Sequence, residues 1–359
     1  MADVSLNNEL PAAKKIPANS RLDSLDLARG VLIILVIFVH SYGHNFVDIA
    51  GTGVISRFWD VVVSATKPIR MPAFFLISGF LAKSLIKQSW SVLLRKRVMF
   101  LMYIYSVWLL ISLVAFDYVS FLQDSQPIDW LGTLYDFVAK VIFPYSFLWF
   151  LWALSLYNII AKATLKIPLW IVLGVALVVS GLSEQLEDQP SFILRCAVYF
   201  ILGARYPDFV TKLSSRASWR SAAVLLIGYL ASVGLILLLG EKFPGVWLPS
   251  GIIGSAAVVT GATLISAWPG LAWLKYCGRN TLQLYVLPDY HCHSYVCRTW
   301  AFSAYGRVDP RLCAGAFGPS NFVRGRSHRN CDGDLVSSSA DRVRRSFRGT
   351  LVAIAKHAT

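Results

Sequence analysis

Along the first 287 residues, long apolar runs alternate with short polar segments that carry most of the Lys and Arg. A membrane-spanning helix needs roughly 20 mostly apolar residues. Eight stretches meet that need, near 27–47, 68–87, 98–116, 141–161, 167–184, 190–206, 221–240 and 248–268. A ninth begins near Asn280, reads Leu282-Gln283-Leu284-Tyr285-Val286-Leu287, and stops at Pro288-Asp289, too short to cross. The pattern predicts an all-α fold, a polytopic transmembrane helix bundle with eight clear spans and a truncated ninth. Residues 1–26 lack a signal-peptide layout, because the apolar run starts late and no small-residue cleavage site follows it. They read as a cytoplasmic tail, the first helix as a retained anchor, and 27–287 as one transmembrane domain.

Composition agrees with this pattern. The chain is 56% hydrophobic and 15% charged, against roughly 45–50% and ~25% for soluble domains, so an ordinary soluble core is excluded. A mean hydropathy of +0.56 and 12 Trp suit lipid-exposed surface with interfacial aromatic anchors. Loop charges orient the chain. With the amino terminus inside, 17 Lys and Arg fall in loops on the cytoplasmic side and 5 on the other, the bias that membrane insertion favours. The expected topology is an amino terminus on the cytoplasmic side of the membrane.

Residues 288–359 follow other rules, with ten Arg to one Lys, no Glu, and four of the six His in the chain. Out-of-frame translation of a GC-rich gene gives such an abrupt switch, and a disordered, frameshifted tail is the expectation. A basic cytoplasmic or nucleic-acid-binding tail is an alternative. Another is a zinc site built from His291, Cys292, His293, Cys297, Cys313, His328 and Cys331, although the spacing fits no regular finger or ribbon.

Ionisable groups inside a bilayer are costly and mark function by default. The body holds only two His, His40 and His44, both in the first apolar run. Arg29 precedes His40 by three helical turns plus about 20°, so the two share a face and stand roughly 16 Å apart along the axis. That places Arg29 at the cytoplasmic rim and His40 near mid-bilayer. An imidazole there can act as base or nucleophile near neutral pH, or only pack between helices. The spacing of His40 and His44 would allow a metal pair, yet no third ligand is evident and no metal is expected. Arg95, Lys96 and Arg97 offer cations at the same rim, suited to phosphate or serving only topology. Ser78 is placed near the depth of His40, where it could orient the ring or stabilise an oxyanion, or merely form a small pair with Gly79 at a helix crossing. Arg195 could meet an anionic acceptor or snorkel. Trp149 and Trp152 suit sugar stacking or interfacial anchoring.

Several stretches together carry a resemblance: Arg21-Leu22-Asp23-Ser24-Leu25-Asp26-Leu27-Ala28-Arg29-Gly30 with its apolar run to His40, and Pro72-Ala73-Phe74-Phe75-Leu76-Ile77-Ser78-Gly79-Phe80-Leu81. Phe147-Leu148-Trp149-Phe150-Leu151 and Gly278-Arg279-Asn280-Thr281-Leu282-Gln283-Leu284-Tyr285-Val286-Leu287 add to it. Over about 21–287 the chain resembles the integral membrane acyltransferase family 3. The resemblance implies a ten-helix bundle that takes an acyl group from a cytoplasmic thioester, usually acetyl-CoA, and delivers it to a hydroxyl of a cell-surface or exopolysaccharide glycan. Arg29 and His40 match the family's first-helix pair. The family's Arg-x-x-Arg is not reproduced; Arg95-Lys96-Arg97 stands there, and which of them serves is open. Pro288 stands where the family usually has His.

The expectation is therefore a membrane O-acyltransferase, with His40 and Ser78 at the chemistry and Arg29, Arg95 and Arg97 holding acetyl-CoA. Its partners are the lipid bilayer and a glycan or lipid-linked sugar, with no nucleic acid; a homo-oligomer is left open. The competing reading is a polyisoprenoid-glycan or solute transporter that uses an Arg-His proton relay, against which no internal repeat is seen.

Overall fold

The computed structural model describes residues 18–41, 54–124, 129–144, 148–186 and 188–286. All regular structure among them is helical. His44 and the whole of 288–359, including the Cys and His of the zinc alternative, lie outside the described residues.

The helices are α1 (Ala18–Ser41), α2 (Val54–Ala82), a short α3 (Trp90–Leu93), a π-helical turn (Leu94–Val98) and α4 (Met99–Asp124). Then come α5 (Trp130–Ile142), α6 (Trp149–Ala163), α7 (Leu169–Leu182), α8 (Asp188–Arg205) and α9 (Pro207–Ser215). The series closes with α10 (Trp219–Leu239), α11 (Trp247–Ile265), α12 (Ala272–Arg279) and α13 (Thr281–Val286). Four helical runs among the described residues are long and apolar enough to cross a bilayer: Phe58–Ala82, Trp90–Tyr118, Trp219–Leu239 and Trp247–Ile265. The protein is a helical membrane protein.

Two expected spans are corrected. The stretch 141–161 is not one helix. Phe143 turns extended (φ −116°, ψ 105°) because the ring of Pro144 disfavours a helical residue before it. The chain enters this break from α5, an amphipathic helix capped by the Asp129 carboxylate on the Gly132 N–H, and leaves it as α6. The second correction concerns α2, which starts at Val54 rather than near 68 and runs through Pro68 and Pro72. Its first turns carry Arg57, Asp60 and Lys67, and these charges hid the helix from a hydropathy reading.

Association inside lipid gains little from burying apolar surface and relies on close packing through small residues. Two crossings here work that way. Where α2 meets α8, a Cβ at Gly79 would lie 2.1 Å from the Phe200 carbonyl oxygen, and one at Gly203 would lie 2.0 Å from that of Leu76. Where α1 meets α12, a Cβ at Gly30 would come within 1.9 Å of the Leu274 carbonyl oxygen and one at Gly278 within 1.7 Å of that of Asp26. Neither backbone can yield as a flexible side chain would. In contrast, α10 turns Val224, Ile227, Leu230, Leu237 and Leu238 outward, and this face reads as lipid-exposed.

Gly278→Ala is expected to lower the melting midpoint of the purified protein by the equivalent of about 2 kcal/mol, since overpacking costs roughly 1–3 kcal/mol. Gly174→Ala, whose added Cβ meets nothing within 4 Å, should leave the midpoint unchanged or raise it slightly. Equal behaviour of the two variants in a thermal melt would refute the crossing.

Candidate functional site

The relative heights of the candidate residues follow from α1 and α2, which run antiparallel. Phe38 of α1 packs against Trp59 of α2, the rings tilted with centroids 4.5 Å apart. Midway along α1, the Arg29 guanidinium carbon stands 5.9 Å from the centre of the Phe74 ring. The unbroken α1 helix keeps Arg29 and His40 on one stripe, roughly 16 Å apart in height. His40 sits next to the last residue of α1 and is exposed, rather than enclosed in the bundle as its apolar surroundings in sequence suggested.

Ser78 does not share this level. It lies beyond Phe74, below Trp59 by roughly 28 Å of helical rise, and so at the Arg29 end. The expectation that it sits beside His40 fails because α2 starts fourteen residues earlier than its hydropathy implied. Ser78 is 4% exposed and adjoins the Gly79 crossing.

Around Arg29 the stretches that carried the resemblance converge. Phe74 packs edge-on against Phe150 at 4.9 Å, and Phe150 contacts Tyr285 at 5.3 Å. An Arg29 Nη donates to the hydroxyl oxygen of Thr281 at 2.5 Å, a residue 3% exposed at the start of α13. The other Nη faces the Asp26 carboxylate at 3.9 Å, and the Arg279 Nε faces the second oxygen of that carboxylate at 3.8 Å. Lys275 and Asp23 form a parallel link at 3.7 Å. The tight Gly30–Gly278 contact brings these charged residues of α1 and α12 within reach of each other. Asp26 lies ahead of the apolar run. Burial pushes its carboxyl above the ordinary range, and Arg29 and then Arg279 pull it partly back.

The cluster 95–97 is resolved by the π-helical turn. Arg95 and Lys96 are exposed, whereas Arg97 is partly buried and lies within electrostatic reach of Arg29. A π-turn widens the helix by one residue and recurs at functional sites; here it separates three successive cations into two outward and one inward. Both Arg29 and Arg97 carry a buried Nε with no hydrogen-bond partner among the described residues. Two nearby guanidiniums with unspent donors repel each other and desolvate at a cost. The arrangement suits an anion with several oxygens, which guanidinium binds in bidentate fashion.

The remaining candidates have structural work. The Arg195 guanidinium lies 4.8 Å from the Phe192 ring centre and 4.9 Å from that of Trp247, and donates to the Ser191 hydroxyl at 3.1 Å. Trp152 donates its indole N–H to the Val141 carbonyl at 3.0 Å, tying α6 across the Pro144 break. Trp149 packs between Phe75 and Phe192. Sequence reasoning passed over Thr281 and the Asp26–Arg279 pair. The signal was present in Gly278-Arg279-Asn280-Thr281, where a glycine, a cation and a hydroxyl precede a short, mostly apolar run.

Fold and site thus define a helical membrane protein in which two guanidiniums, Arg29 and Arg97, come within electrostatic reach of each other beside the middle of its first helix. The chain belongs to the acyltransferase 3 family, whose model, described as an acyltransferase domain, matches residues 22–292; it is an acyltransferase. No curated protein and no solved structure matches the chain.

If Arg97 is held beside Arg29 for a ligand rather than for stability, Arg97→Met should raise the melting midpoint of the ligand-free protein, by the equivalent of about 1 kcal/mol, as replacing buried ionic groups with apolar ones often does. A lower midpoint in calorimetry would show that Arg97 supports the fold instead.

Proposed function

We propose that this protein transfers an acetyl group from cytoplasmic acetyl-CoA to a hydroxyl of a cell-surface or exopolysaccharide glycan. The observation that carries the reading is the pair of neighbouring guanidiniums, Arg29 and Arg97, each with a buried Nε that has no hydrogen-bond partner among the described residues, Arg29 standing three helical turns before His40 on α1. The bias of 17 to 5 Lys and Arg between the two sides, read from the sequence, supports a cytoplasmic amino terminus and a bundle of eight or more spans, and the acyltransferase family supports a bacterial inner membrane.

The phosphates of the donor rest between Arg29 and Arg97, and Thr281 fixes the Arg29 fork. The pantetheine arm extends along the Arg29–His40 stripe of α1 and carries the thioester toward the imidazole. There a neutral His40 accepts the proton of the acceptor hydroxyl. The oxygen attacks the thioester carbonyl, the carbon–sulfur bond breaks, and the departing thiolate recovers a proton from the imidazolium. Alternatively, the imidazole itself holds the acetyl group between two such steps; both routes need the same ring at the same height. Ser78 sits too far from that ring to assist and serves the α2–α8 crossing.

His40→Ala should abolish acetyl transfer to membrane glycan while the protein level stays unchanged. Arg97→Gln should raise the KM for acetyl-CoA about tenfold, the equivalent of 1.4 kcal/mol, whereas Arg95→Gln should change it less than about twofold, as expected of an exposed charge. Radiolabelled acetyl-CoA with membranes as acceptor source measures both. Residual transfer in His40→Ala rejects the catalytic role, and equal KM values for the two Arg variants reject the donor site.

A further inference from the structure

At the foot of α10, a hollow of about 240 Å³ opens between this helix, α9 and α11. Its walls are Phe209 and Leu213 of α9 and Leu225 of α10, all half-buried. Lys212 and Arg216 stand exposed on its rim, and neither makes an ion pair with a carboxylate among the described residues. Thr260 of α11 contributes a buried polar group to its lining.

Thr260 is the unusual member. It is 1% exposed, and its hydroxyl has no hydrogen-bond partner among the described residues. Its neighbours on α11 spend theirs on the preceding turn, Ser255 on the Gly251 carbonyl at 2.6 Å and Thr263 on that of Val259 at 2.8 Å. A buried hydroxyl left unmatched carries a desolvation cost, which an oxygen-bearing occupant of the hollow would remove.

The surroundings fix the depth and the source of that occupant. Trp219, the first residue of α10, is 70% exposed, and exposed Trp at a helix end sits at the headgroup level. From there the outward face of α10 continues as an apolar surface that reads as lipid-exposed. The first turn of α10, capped by Ser218 on the Ser221 N–H, adds the positive end of its dipole to the rim.

We propose that this hollow is a binding site for a single anionic phospholipid of the adjoining leaflet. The phosphate sits between Lys212 and Arg216, an ester oxygen accepts from Thr260, and the upper acyl chain lies along Phe209, Leu213 and Leu225. Basic pockets between membrane helices bind phospholipid headgroups by this combination of charge and apolar contact. The site is separate in sequence and in its residues from the Arg29–Arg97 pair and does not depend on the acyl-transfer reading.

Native mass spectrometry of the purified full-length chain, exposed to equal amounts of phosphatidylglycerol and phosphatidylcholine with identical acyl chains, tests the site. The wild type should retain one phosphatidylglycerol with at least tenfold preference. K212Q/R216Q, two exposed positions that fold without strain, should bring the preference to parity. Leu225→Trp, which fills the hollow and keeps both charges, should reduce phosphatidylglycerol retention at least fivefold. Wild-type preference in the charge variant, or unchanged retention in Leu225→Trp, would overturn the proposal. So would displacement of the lipid by excess inorganic phosphate, which would identify a site for a soluble anion.

Discussion

The contact on which the site depends is made by atoms that are absent. Gly30 and Gly278 allow α1 and α12 to meet backbone to backbone, closer than any side chain would permit. With the two helices at that separation, Asp26 reaches both Arg29 and Arg279, and Thr281 comes to the Arg29 fork. Arg29 is therefore held from two sides by groups that are themselves fixed. In a lipid environment, where apolar burial cannot order the helices, such packing is the main source of geometry.

The charge arrangement at this end runs against what a protein optimised for stability would keep. Asp26 answers Arg29 and Arg279, yet Arg97 approaches the same guanidinium with no carboxylate of its own among the described residues. Such uncompensated repulsion is tolerated where an anionic ligand completes the balance. The aromatic group Phe74, Phe150 and Tyr285 forms an apolar wall beside it. A low-dielectric wall next to unspent donors strengthens their pull on phosphate oxygens.

Much of this was legible from the residues. Apolar run lengths located α7, α8, α10 and α11 and the start of α4 to within a few positions, because lipid imposes one dominant constraint on composition. The Arg29–His40 stripe survived because an uninterrupted helix transmits spacing without error. Three features escaped. The Pro144 break and α5 escaped because a single residue's backbone preference decides them and a hydropathy window averages over it. Ser78 was placed at the wrong height because charges on the early turns of α2 masked where that helix begins. The distinction among Arg95, Lys96 and Arg97 depends on a local widening of the helix that no side-chain pattern announces.

That widening has a consequence for how such a site can arise. One extra residue in a helical turn rotates everything before it by about 100° relative to everything after it, while both flanking segments keep their own contacts. A guanidinium can thus be swung from the exterior to the interior by a three-nucleotide insertion, with no change in the amino acid that bears it. A lineage could gain or lose an inward cation at this turn while the rest of its helices stay in register, and counting residues between fixed landmarks would reveal the event where comparing their identities would not.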